Sequence, residues 1–198
     1  MEPVLESENR VRKFVSLLVC DIDKNILLNI TSEVKWVNSP SLCIHWAIEQ
    51  KPQIIVISFI NLAASEINYL IELCTILKKN SITKNITILA ILHTKHRGLL
   101  EDLAHAKVDY TRYIGSAELD LNLILELINN MKINDSPERQ ILQMCPFINY
   151  LDIYSQNELT VCKAWYNRMV LGGRRLRQLC ETESHMFCEN YLSLENRS

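Results

Sequence analysis

Between residues 11 and 133 the chain alternates short aliphatic runs with stretches whose apolar residues recur at helical spacing. Phe14 to Cys20 (FVSLLVC) is an apolar run closed by Asp21, the pattern of a strand buried on both faces. Gln53 to Ile60 (QIIVISFI) and Ile86 to Leu92 (ITILAIL) repeat it, Thr111 to Ile114 gives a shorter strand, and Lys35-Trp36-Val37 reads as an edge strand. A helical segment is expected from Lys24 to Ile30. A second follows Ser39-Pro40-Ser41 through Leu42, Ile44, His45, Ala47 and Ile48 and stops at Pro52. Ser65 to Lys79 carries Ile67, Leu70, Ile71, Cys74, Ile76 and Leu77 on one face. Leu99, Leu100, Leu103, Ala104 and Val108 form another apolar face, and Leu119 to Met131 a last one. Strands and helices in this alternation predict an α/β fold, a doubly wound five-stranded parallel sheet.

The pattern changes after Asn134-Asp135-Ser136-Pro137, which reads as a linker. The aliphatic strands end, and residues 134–198 are rich in Cys, Tyr, Arg, Asn and Glu. Helical pieces are expected around Cys162–Leu171 and Arg174–Cys180, separated by Gly172-Gly173, with Trp165, Tyr166, Met169 and Val170 as a small core. The expected organisation is a sheet domain over residues 1–133 and a small, mainly helical, cysteine-containing domain over residues 134–198.

Composition narrows the classes. The 198 residues carry a net charge of -2, which argues against a strongly basic nucleic-acid binder. A hydrophobic share of 48% against 22% charged residues fits a folded core. No apolar run approaches the ~20 residues of a membrane helix, and the polar start MEPVLESENR does not read as a signal peptide. A cytoplasmic protein without membrane contact is therefore expected. No P-loop, dinucleotide fingerprint, HExxH or nucleophile elbow is present, and no enzymatic activity is expected.

The segment Leu17-Leu18-Val19-Cys20-Asp21-Ile22-Asp23-Lys24-Asn25-Ile26 resembles the first strand and acidic turn of the receiver domain of two-component response regulators, the CheY-like family. The resemblance continues through Pro52 to Ser58, through Thr87 to Leu92, and through Ala106-Lys107-Val108-Asp109-Tyr110, close to the family's Ala-Gly-x-Asp. It implies a flavodoxin-like receiver fold and a place in signalling or a phosphorelay. In that family two acids after the first strand hold Mg²⁺, an Asp ending the third strand accepts the phosphoryl group, and a Thr or Ser and a Lys contact its oxygens.

This chain departs from the pattern at most of those positions. Asp21 is present, but its neighbour is Ile22, with Asp23 one residue further. The nucleophile position falls on Ser58. The Thr position falls on Leu92, with Thr94 beyond it, and the Lys position on Ile114, followed by Gly115. A serine hydroxyl without an adjacent base is a poor nucleophile, and the apolar replacements remove charge from both the metal and the phosphoryl group. The degenerate set Asp21, Asp23, Ser58 and Thr94 therefore reads as a pseudo-receiver site that is not phosphorylated by the usual route and for which Mg²⁺ is not expected. Such a domain would act by docking a protein partner. The resemblance places the contact face near Tyr110, Tyr113, Leu119 and Leu121, each of which, taken singly, reads more readily as core or turn packing. A homodimer is left open.

Cys145, Cys162, Cys180 and Cys188 follow a C-x16-C-x17-C-x7-C spacing. Four thiolates complete a shell for Zn²⁺ or a [4Fe–4S] cluster. Zinc ribbons use C-x2-C knuckles, which this segment lacks. Dispersed cysteines led by Cys145-Pro146 suit an iron–sulfur cluster better, and His185 offers a substitute ligand. The competing reading is structural thiols or redox use. Cys20, Cys43 and Cys74 sit inside apolar patterns and read as packing residues.

Two further features are candidates. Arg174 to Arg177 forms a basic patch that would suit a DNA-binding regulator, although such runs also form solvated helix faces. His93, Thr94, Lys95 and His96 crowd the site end of one strand and read as a polar loop. The resulting expectation is a bacterial signalling protein pairing a pseudo-receiver with a four-cysteine module that senses redox or metal state. An atypical phosphoryl-accepting regulator is the other alternative.

Overall fold

The computed structural model describes residues 16–23, 29–31, 34–154, 157–166 and 168–195. Phe14 and the helix expected over Lys24 to Leu28 lie outside the described residues, as does the side chain of Trp165.

The first strand, β1 (Leu17–Cys20), lies between β3 (Val34–Val37) and β4 (Ile54–Phe59), with β5 (Thr87–Leu92) and β6 (Tyr110–Tyr113) beyond β4. These five strands are mutually parallel. Their order is that of a flavodoxin-like doubly wound sheet, as expected. A short strand, β2 (Asn29–Thr31), adds antiparallel to β3, so Val34–Val37 is not the edge strand expected of it. Asn29 and Ile30, read as the end of a helix, belong to this strand. The β-branched pair Ile30-Thr31 favours extended backbone once an edge is there to pair with.

Side-chain alternation divides the strands between two faces. Leu18, Cys20, Ile55, Ile57, Ile88 and Ala90 face α1 (Pro40–Gln50), α2 (Ala64–Lys79) and α3 (Arg97–His105). Leu17, Val19, Trp36, Val56, Leu89 and Ile91 face the opposite side, where Ile124 and Ile128 of α4 (Leu121–Asn129) pack. Local chemistry sets the helix ends. Ser39 Oγ accepts from the Leu42 N–H at 3.3 Å and Pro40 fills the first turn of α1, whose chain then turns through the left-handed Lys51 into Pro52. Asp120 caps α4 by accepting from the Leu123 N–H at 2.7 Å.

Cys20, Cys43 and Cys74 meet in this core from β1, α1 and α2, and all three are fully buried. A hydrogen bond with Cys20 and then burial push the Cys43 thiol well up. Burial chiefly does the same to Cys74. All three pack as small apolar groups.

At the other end of the sheet, Lys78 Nζ binds Asp109 Oδ2 at 2.6 Å and the Ile86 carbonyl at 2.9 Å. The same carboxylate oxygen accepts from the Ile88 N–H at 2.7 Å. The Lys78 side chain is 8% exposed, so its charge depends on this arrangement. Nearby, Lys107 turns the chain from α3 into β6 with φ at 61°, a conformation that favours glycine.

The second unit is wired to the first. The expected linker is a single 3-10 turn, Ile133–Asp135, followed by α5 (Pro137–Gln143), for which Ser136-Pro137 is cap and first residue. A three-stranded antiparallel sheet follows: β7 (Ile148–Tyr154), β8 (Asn157–Cys162) and β9 (Met169–Val170). Sequence reading did not anticipate this sheet, and the first helical piece expected around Cys162–Leu171 is β8, a 3-10 turn and β9 instead. The cysteine-bearing helical region comes after it: α6 (Gly173–Arg175), continued by a π-type turn Leu176–Cys180, a 3-10 segment Glu183–Phe187 and α7 (Glu189–Glu195). Tyr166 and Val170, expected in a small core, are 79% and 56% exposed. The core is made instead by Met144, Cys145, Ile148, Cys162, Leu171 and Cys180, which join the apolar layer on the α1–α3 side of the sheet.

Two substitutions test these restraints by urea denaturation. Asp109→Ala strands the buried Lys78 ammonium and should cost about 2–3 kcal/mol. Lys107→Gly relieves the left-handed turn and should stabilise by about 1 kcal/mol.

Candidate functional site

The carboxyl end of a parallel sheet is where open α/β folds place their sites. Asp21 follows β1 there, 5% exposed, with its N–H donating to the Val37 carbonyl at 2.9 Å. Asp23 is exposed. Ser58 is 1% exposed, and its hydroxyl has no hydrogen-bond partner among the described residues. Thr94 is exposed in the β5–α3 loop. Ile22 packs against one apolar cluster and Ile114 against the other. The four residues share one end of the sheet, two buried and two in solvent. Among the described residues no three His, Cys, Asp or Glu side chains are arranged to hold a metal ion.

The loop from His93 to Arg97 serves as a clasp. His96 Nδ1 accepts from the Leu99 N–H at 3.0 Å and so caps α3, which leaves the ring proton on Nε2. Nε2 faces the Glu158 carboxylate at 3.2 Å, and the ring stacks on Tyr150 at a centroid distance of 3.8 Å. The Tyr150 hydroxyl accepts from the Arg97 N–H at 2.9 Å. The Arg97 guanidinium donates to the Ile141 and Met144 carbonyls at 3.2 and 3.1 Å. Lys95 Nζ reaches the Glu181 carbonyl at 3.3 Å. One loop of the sheet thus holds α5, the β7–β8 hairpin and the turn after Cys180.

A second set of contacts closes the β6 side. Gln140 is 7% exposed. It accepts from the Tyr113 hydroxyl and donates to the Thr111 and Asp135 carbonyls at 2.9 and 3.0 Å. Arg112 pairs with Asp135 at 3.1 Å. Burial pushes the Tyr113 phenol up. On the face expected to receive a partner, Tyr113 is held by Gln140, Leu119 is 4% exposed, and Tyr110, Tyr113 and Leu121 are partly buried.

The four cysteines of the second unit come from separate elements. Cys162 ends β8, Cys180 ends the π-type turn, and Cys188 precedes α7. Cys145 lies after α5, where its N–H donates to the Cys180 carbonyl at 2.7 Å. None is in a disulfide. Cys145, Cys162 and Cys180 are 6%, 7% and 6% exposed, and Cys188 is half-buried. Burial, and then the charges of Cys145, Cys188 and Cys162, push the Cys180 thiol up to about 12. Burial, with the charges of Cys162 and Cys188, also raises Cys145. The backbone hydrogen bond between Cys145 and Cys180 brings these two positions side by side. His185 is 5% exposed and engages the Thr182 carbonyl through Nδ1 at 2.8 Å.

Sequence reasoning named the four cysteines but not the residues that assemble them. Arg97, Tyr150 and Gln140 lie far apart in the chain and carry no motif. Arg174, Arg175 and Arg177 are exposed, as a solvated basic face would be, and two of them make contacts within their own unit: Arg174 Nε reaches Gln178 at 3.4 Å and Arg175 Nη2 reaches Cys188 Sγ at 3.8 Å.

No family model and no curated protein matches the sequence. Among solved structures the chain is similar to a response regulator from Desulfuromonas acetoxidans, at 15% identity and a TM-score of 0.40, over 57% of this chain and 93% of that one. It is also similar to the signal receiver domain of a DNA-binding response regulator from Colwellia psychrerythraea 34H, at 15% identity and a TM-score of 0.42, over 58% of this chain and 95% of that one. Among the described residues no helix is long and apolar enough to cross a membrane.

The separation of Asp21, Asp23, Ser58 and Thr94 into buried and solvated groups has a chemical consequence. Incubation with acetyl phosphate and Mg²⁺ should leave the intact mass unchanged. A stable phosphoryl adduct that disappears in Asp21→Asn would contradict this.

Proposed function

We propose that this chain is a regulatory protein of the signalling type. Its receiver-like sheet is a non-phosphorylated platform, and its chemistry resides in a four-cysteine module that binds an iron–sulfur cluster. The observation that carries this reading is that four cysteines of one small unit are all free thiols, three of them buried, with Cys145 and Cys180 joined by a backbone hydrogen bond of 2.7 Å.

The choice between metal groups rests on spacing. One Zn²⁺ binds sulfurs at about 2.3 Å, which draws four of them to within about 4 Å of one another. A [4Fe–4S] cluster takes one cysteine per iron and holds its ligands further apart. The dispersed C-x16-C-x17-C-x7-C order, without a C-x2-C knuckle, favours the cluster. When bound, the cluster would supply a redox-active group beneath a partly exposed surface. The chain's own residues would hold it through the four sulfurs and shield it by burial at Cys145, Cys162 and Cys180.

The partner expected for the receiver-like domain is, on this reading, its own second unit. The receiver resemblance puts a phosphoryl-contacting Thr or Ser after the fourth parallel strand. Here the corresponding residues Lys95, His96 and Arg97 hold the segments that lead to Cys145 and leave Cys180. The state of the cysteine module is thereby tied to the carboxyl end of the sheet. A DNA-binding reading through Arg174 to Arg177 is less favoured, because Arg174 and Arg175 engage Gln178 and Cys188.

Anaerobic purification, or reconstitution with ferrous iron and sulfide, should give a broad visible absorption band. Iron and sulfide should then be present in near-equal amounts. Cys145→Ser and Cys180→Ser should each abolish the band, while Cys43→Ser should retain it. Wild-type protein that takes up neither iron nor sulfide overturns the reading.

A further inference from the structure

The four thiols are not equivalent. Three are buried, and Cys188 alone is half-exposed. It stands at the wall of a cavity of about 890 Å³ lined by Arg174, Arg175, Gln178, Phe187 and Glu189. Phe187 is 81% exposed at the same wall, so the cavity opens to solvent. The Arg175 guanidinium donates to Cys188 Sγ at 3.8 Å. Its charge lowers the Cys180 thiol against the stronger effect of burial.

Arg175 ends the short helix that starts after Gly172. Arg175 meets an acceptor in the Cys188 sulfur, on the cavity side of the cysteine set. Four thiolates around Zn²⁺ or a [4Fe–4S] core leave a net charge of about −2, and a nearby guanidinium offsets it.

We infer that Cys188 is the solvent-side mouth of the four-cysteine site, the thiol at which a thiophilic species entering the cavity is first captured, and that Arg175 is the positioning residue that holds its sulfur toward that opening. The ligand class is soft and thiol-seeking: a metal ion being loaded, or a small electrophile that competes with it. Cys145, Cys162 and Cys180 are reached only after Cys188. The inference deepens the four-cysteine reading, yet it concerns thiols that exist whether or not a cluster binds.

The test uses metal-free, folded full-length protein and iodoacetamide, with each cysteine followed by peptide mass spectrometry. Alkylation forms an S–C bond and breaks the C–I bond, releasing iodide, while the thiol proton passes to solvent. Cys188 should react first, about tenfold faster than Cys145, Cys162 or Cys180. Arg175→Gln should slow Cys188 at least threefold, Arg175→Lys should restore most of the rate, and Arg174→Gln should leave it unchanged. Circular dichroism confirms that each variant is folded. Faster reaction at any of the three buried thiols overturns the inference. So does an unchanged rate in Arg175→Gln, or an equal loss in Arg174→Gln. Failure to bind iron would remove the cluster and leave this order of reactivity standing, so the two readings fail separately.

Discussion

A parallel sheet has to be covered on both faces, because its strands are apolar throughout and its crossovers place helices on each side. That requirement organises this molecule. The layer beginning with Leu18, Ile55 and Ile88 continues past α1, α2 and α3 into Met144, Cys145, Ile148, Cys162, Leu171 and Cys180. The second unit has no separate apolar centre large enough to stand alone, as expected for a region of this size. Its cysteines lie where they do because they finish the coverage of the sheet domain.

The sheet was legible in the chain because its signal is local. QIIVISFI and ITILAIL declare buried strands without reference to anything else, and Ser39-Pro40 and Asp120 declare helix starts. What escaped reading depends on distant partners. Asn29–Thr31 becomes a strand because β3 offers an edge. The β7–β8 hairpin mixes tyrosine, asparagine and aspartate with few aliphatic residues, and its extended form shows once its strands pair with each other. Ser136-Pro137 has the same letters as a linker and as a helix start, and the helix wins because Gln140 and Ile141 find partners on β6 and Arg97.

The candidate site divides in the same way. Residue types named the four cysteines and the degenerate acids. Their geometry was hidden because it is set by Arg97, His96 and Gln140, whose roles are positional. Arginine in a basic run looks solvated from sequence, and only the approach of Cys188 from the other side of Glu183–Phe187 gives Arg175 a different partner. The three core cysteines were legible as packing residues, but not their meeting: β1, α1 and α2 each bring one into the same core, and no single element reveals that coincidence.

Gln140 has a consequence for how the chain can be divided. It satisfies the Thr111 carbonyl and the Tyr113 hydroxyl on the last parallel strand, as Arg97 satisfies the ends of α5. A cut after residue 133, where the composition changes, would leave β6 with unmet polar groups and a bare apolar layer beside it. Such a fragment would be prone to pair its edge with another copy. The boundary written in the composition is thus no boundary in energy, and the smallest piece that retains a satisfied sheet runs well into the cysteine unit.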